Sequence, residues 1–144
     1  MNDQQKTELI DCFRKYIAAE KALRANGCGW KSWRVPGPEW DEYVILTEKW
    51  KKAYSDLWMI TEIEYSEKCE LSRLCWNWRY YKVMSRKCTW LQLVFQDSIG
   101  AGKFMKDLHE AELQLATACG LADEYKSPCQ YLEEAFPGLR NQKQ

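Results

Sequence analysis

Neither glycine nor proline occurs between Glu39 and Ile99. A single helix over that span would run about 90 Å, whereas a compact chain of 144 residues has a radius of gyration near ~15 Å. Breaks made without either residue are therefore expected, with Ser66 and the segment Ser85 to Thr89 as the candidates. Histidine occurs once, at His109. That removes the Glu-x-x-His pairs on which di-iron bundles depend. No apolar run approaches the ~18 residues a membrane span needs, so no membrane partner is expected.

The seven cysteines (12, 28, 69, 75, 88, 119 and 129) lack the close pairs that structural zinc sites use. Their number is odd, and the polar N-terminus with Asp3 and Glu8 resembles no secretory or transit segment. Reduced thiols, no metal and a cytoplasmic setting are the expectation.

A last absence is the most informative. From Leu71 to Gln96 there is no Asp or Glu. Five cations, Arg73, Arg79, Lys82, Arg86 and Lys87, alternate there with the rings of Trp76, Trp78, Tyr80, Tyr81 and Trp90. The flanks are net acidic, so a formal charge of zero hides a middle of +5 between −2 and −3. The chain carries eight Trp and eight Tyr. Eight indole N–H groups need partners or solvent, which places some of them at a surface.

What is present predicts helices. Leu9, Ile10, Phe13, Tyr16, Ile17 and Leu23 recur at helical spacing over 3–26, opened by Asn2 and Gln5 in a capping box. The loop Gly27 to Pro38 carries Trp30, Lys31, Trp33 and Arg34, which either fold back on the core or form a binding loop. Pro38 opens a second helix with the stripe Tyr43, Leu46, Trp50, Ala53, Leu57 and Ile60. In the basic stretch, a helix would put Tyr80, Met84, Cys88, Leu91 and Phe95 inside, with Arg79, Lys82 and Arg86 on the other face beside Trp90. Trp76 and Trp78, two apart, point about 200° away from each other on a helix, so both cannot centre on one core face. The alternative is an aromatic β-hairpin over 76–95, although its turn lacks the Gly, Asn or Asp that tight hairpins favour.

Asp97 to Lys103 reads as a glycine hinge. A helix follows over 103–119, with Phe104, Leu108, Leu115 and Ala118 inward and a Schellman stop at Gly120. Ser127 caps a last helix over 128–136, and the tail over 139–144 is expected to be loose. The fold class is thus mainly α, a compact bundle of four to five helices in one domain over 1–144.

Motifs for chemistry fail one by one. GAGK at 100–103 has Asp97 where the phosphate loop needs Gly, and Phe104 where it needs a hydroxyl. His109 is expected to be solvated or bonded at a cap. No cofactor is implied. The expectation is a non-enzymatic protein-binding module, an inhibitor or adaptor. Its contact residues would be Trp30, Trp33, Arg34, Trp76, Trp78, Arg79, Lys82, Arg86, Lys87 and Trp90. The partner would be a larger protein or nucleoprotein with an acidic or nucleic-acid-binding surface, and dimerisation is left open. Small inhibitors of the phage anti-defence kind, such as anti-CRISPR proteins, share this profile at class level. Single-stranded nucleic acid is the alternative ligand, because cations meet phosphates while bases stack on rings. An enzyme without a recognisable motif is the third reading.

Overall fold

The computed structural model describes the backbone of residues 1–26, 38–95, 98–135 and 137. It describes their side chains apart from 38–39, 87–95, 98–105, 128–129 and 132. Five helices follow in order: α1 (Asp3–Asn26), α2 (Pro38–Ile60), α3 (Glu70–Phe95), α4 (Ser98–Ala118) and α5 (Pro128–Ala135). There is no strand among the described residues, so the hairpin alternative for 76–95 is corrected to one continuous helix.

Local chemistry sets most of the helix ends. The Gln5 amide donates to Asn2 Oδ1 at 2.8 Å, and the Asn2 amide donates to Gln5 Oε1 at 3.0 Å, so two orphan donors at the α1 start are satisfied reciprocally. The same box recurs at α5, where the Ser127 amide donates to Gln130 Oε1 at 2.7 Å. The helix α4 ends in a Schellman motif. Gly120 adopts a φ of 75°, and the Leu121 amide reaches back to the Ala116 carbonyl at 2.8 Å. A side chain at position 120 would be strained by that φ even though open space surrounds it.

Two expected breaks turn out differently. The chain does leave the helix after Ile60 and re-enters at Glu70, around Ser66 as expected, but α3 runs through Ser85 to Thr89 without interruption. The glycine hinge is also absent. α4 begins at Ser98 and takes Gly100 and Gly102 into its first turns. Glycine costs an isolated helix only about 1 kcal/mol, a preference that tertiary packing routinely overrides.

One apolar cluster joins all five helices. α1 contributes Leu9, Phe13 and Ile17, α2 gives Leu57, and α3 gives Cys75 and Trp78. Leu108 and Leu115 come from α4 and Tyr131 from α5. The predicted stripes face this core from Leu9 to Ile17 on α1 and from Trp50 to Ile60 on α2. α3 departs from expectation in its described part, with Met84 half-buried and the side chains of Cys88, Leu91 and Phe95 outside the described residues. Its inward side is Ser72, Cys75, Trp78 and Ser85, whereas Tyr80, expected inside, is 56% exposed.

Candidate functional site

α3 presents three unlike faces, and they separate the residues that the sequence grouped. Trp78 has no solvent exposure. Its indole N–H donates to Glu112 Oε2 on α4 at 2.9 Å. Lys82, one turn further on, also points inward. Its ammonium donates to the Tyr16 hydroxyl at 2.9 Å and lies 3.4 Å from Glu112 Oε2. Tyr125 completes the group by donating its hydroxyl to Glu112 Oε1 at 3.0 Å. The buried carboxylate therefore gathers an ammonium, an indole and a phenol. Both carboxylate oxygens have donors, as burial of an acid requires.

A matching arrangement stands one level away. The buried Glu20 on α1 accepts from Arg24 Nε at 2.8 Å and from the Trp50 indole N–H. Trp50 and Tyr54 stack at 5.3 Å with 10° between their planes, and Tyr54 continues to Trp58 at 6.1 Å. Between these two carboxylate centres lies a cavity of about 250 Å³, framed by Tyr16, Glu20, Trp50, Tyr54, Lys82 and His109. Burial raises the Tyr16 phenol well above its ordinary value, and Glu112 and Glu20 add to the rise. Burial likewise lowers His109, whose Nδ1 is shielded from solvent and has no partner among the described residues.

A third face of α3 clamps the connection from Thr61 to Cys69. Ser72 Oγ donates to the Glu64 carbonyl at 2.8 Å and accepts the Ser66 amide at 3.0 Å. The Trp76 indole N–H donates to the Ile63 carbonyl at 2.8 Å. Arg79 donates to the Trp58 carbonyl and to Thr61 Oγ1 at 3.3 Å, with its guanidinium 3.9 Å from the centre of the Trp58 ring. The Trp58 carbonyl also accepts from Thr61 Oγ1 at 3.0 Å, and the cation at the end of α2 interacts favourably with the helix dipole. The spacing 72, 76, 79 is one helical stripe.

Outward from that clamp runs an exposed apolar row. Trp76 is 47% exposed, Tyr80 56% and Val83 40%, at helical spacing along α3. Tyr65 extends the row, set edge-on to Trp76 at 6.0 Å. Among the described residues, Arg73 and Arg86 are the exposed cations of this helix, and the Arg86 guanidinium sits 5.1 Å over the Tyr54 ring at the cavity rim.

The residues expected to share one docking face are thus dispersed. Trp76 and Arg86 reach the surface, Trp78 and Lys82 turn inside, and Arg79 is held against Trp58. Trp30, Trp33 and Arg34 lie outside the described residues, as do the side chains of Lys87 and Trp90. Sequence reasoning missed Glu20, Glu112, Tyr16 and Tyr54. The signal available for the two carboxylates was their position on the apolar stripes of their own helices, Glu20 between Ile17 and Leu23, and Glu112 between Leu108 and Leu115. Among the described residues no cluster of His, Cys, Asp or Glu has metal-holding geometry, and no helix is long and apolar enough to cross a membrane. No protein family, curated protein or solved structure matches this chain.

Proposed function

We propose that this chain is a non-enzymatic protein-binding module that docks through the outward row of α3. Trp76, Tyr80 and Val83 form the contact, with Tyr65 beside them. The partner has an apolar groove rimmed by carboxylates, because α3 carries no acidic residue after Glu70 and sets Arg73 and Arg86 at the surface. An inhibitor or adaptor of the phage anti-defence kind fits such a module.

The observation that carries this reading is the fixed exposure of Trp76. Its indole is pinned through Nε1 to the Ile63 carbonyl and braced by Tyr65, yet nearly half of it faces solvent. A preorganised aromatic loses little entropy on binding, and Trp and Tyr are the residues on which interface energy concentrates. The same geometry disfavours the nucleic-acid alternative. Arg79 and Lys82, two of the five cations it would need, are engaged within the fold, and the formal net charge of zero supplies no long-range attraction to phosphate.

A photo-crosslinking amino acid placed at Asn77, exposed beside the row, tests the proposal. The expected result is a covalent adduct with one protein, absent when the same group is placed at Lys51 on α2. That protein, purified, should lose affinity for Trp76→Ala by about tenfold or more, the mark of a hot-spot residue. Adducts with nucleic acid instead, or equal adducts from both positions, would overturn it.

A further inference from the structure

The cavity between α1, α2, α3 and α4 has a chemistry that the docking row does not use. Its two carboxylates are already spoken for. Glu20 accepts from Arg24 and Trp50, and Glu112 accepts from Tyr125, Trp78 and Lys82, so all four oxygens have donors. The groups with capacity left are donors. An ammonium has three N–H groups, and Lys82 places two of them, on Tyr16 and Glu112. The Tyr16 hydroxyl accepts from Lys82 and retains its own proton to give. His109 lines the cavity as well. Arg86 adds its positive charge at the rim, while Arg24, also in the lining, is paired with Glu20.

The walls are rings. Lys82 Nζ and the Arg86 guanidinium lie 5.4 Å and 5.1 Å from the centre of the same Tyr54 ring, which stacks on Trp50. A volume of about 250 Å³ corresponds to roughly eight waters of bulk liquid, enough for a one-ring compound. Surplus donors, two cations and flat aromatic walls select an anion carried on a planar apolar body. Concave, mostly apolar sites with a few convergent polar groups are how small ligands are usually held.

We propose that this cavity is a binding site for a small aromatic carboxylate. The ring lies against Trp50 and Tyr54, and the carboxylate meets Arg86 and Lys82. The row Trp76, Tyr80 and Val83 and the cavity lie on different sides of α3, and Arg86 at the rim is the residue that docking and ligand binding share.

Because His109 is the sole histidine, its imidazole resonances report on this one site. Benzoate is the probe, with benzyl alcohol supplying the ring without the charge and acetate the charge without the ring. The expected result is a saturable shift of the His109 signals with benzoate. Benzyl alcohol should bind at least about tenfold more weakly, and acetate should produce no saturable shift. Arg86→Gln alters an exposed side chain, and an unchanged melting temperature verifies its fold. It should weaken benzoate by about tenfold, the loss of one charge-assisted hydrogen bond. No saturable shift at benzoate concentrations on the order of 10 mM would overturn the assignment. Equal binding of benzyl alcohol, or benzoate affinity unaffected by Arg86→Gln, would do so as well.

Discussion

Glu112 on α4 accepts the indole proton of Trp78 on α3 at 2.9 Å, with both side chains sealed from solvent. The pair explains why α3 turns Trp78 inward rather than Tyr80. Burying an indole gains apolar contact, and Glu112 supplies the acceptor that its N–H would otherwise lack.

Removing that acceptor strands three donors at once. Glu112→Leu leaves the Lys82 ammonium, the Trp78 indole and the Tyr125 hydroxyl without their partner. A loss of about 3–5 kcal/mol is expected in urea denaturation, the usual cost of leaving a buried charge uncompensated. Adding Lys82→Met to Glu112→Leu should recover a large part of it, because the two residues form one unit. Strictly additive losses would show that the ion pair is incidental.

The clamp on the connection from Thr61 to Cys69 makes a local prediction. Arg79→Ala removes one of two side-chain donors to the Trp58 carbonyl, the other being Thr61 Oγ1 at 3.0 Å, and the guanidinium over the Trp58 ring. A cost of about 1–3 kcal/mol is expected. Amide exchange should accelerate first at Thr61 to Ile63, ahead of α1. Arg79→Lys should recover only part, because an ammonium cannot reproduce the planar stacking.

His109 gives the stability a pH dependence with a definite sign. Burial lowers its folded-state value below the ordinary 6.5, with Lys82 also lowering it and Glu112 and Glu20 opposing. As pH falls through 6.5, the unfolded chain takes up a proton that the folded chain still refuses, so stability declines. The decline from this group ends below the folded-state value. Melting temperatures from about pH 7 down to about pH 5 should fall less steeply in His109→Gln than in the native chain. Parallel curves would show that burial does not perturb His109.

Two thiols should be inert. Burial pushes Cys75 up to about 12 and Cys119 up to about 11. Since the thiolate is the nucleophile, iodoacetamide near pH ~8 should leave both unmodified in the folded protein. Half-buried Cys69 should react. Mass spectrometry after digestion reads the outcome, and alkylation of Cys75 before unfolding would contradict the packing around Trp78.

The features legible in the sequence are those set by neighbours a few residues apart. The Asn2–Gln5 and Ser127–Gln130 boxes and the Gly120 stop depend on hydrogen bonds within one or two turns. The opposition of Trp76 and Trp78 follows from helical geometry alone. The orientation of α3 does not. It depends on Glu112, 34 residues from Trp78, and on Tyr16, 66 residues from Lys82. Periodicity assigns a lysine outward by default, and only a distant carboxylate and phenol make an inward one stable. The cavity was hidden for the same reason, since its wall is assembled from four helices.

The central claim is that α3 divides its rings between two duties, Trp78 for the fold and Trp76, Tyr80 and Val83 for a protein partner. Its most direct measurement pairs unfolding with affinity for the protein crosslinked at Asn77. Tyr80→Asp and Val83→Asp should each change stability by no more than about 0.5 kcal/mol. Each should also weaken that complex by about tenfold or more, while Ile45→Asp on exposed α2 leaves it intact. Full affinity with aspartate at both α3 positions would contradict the account.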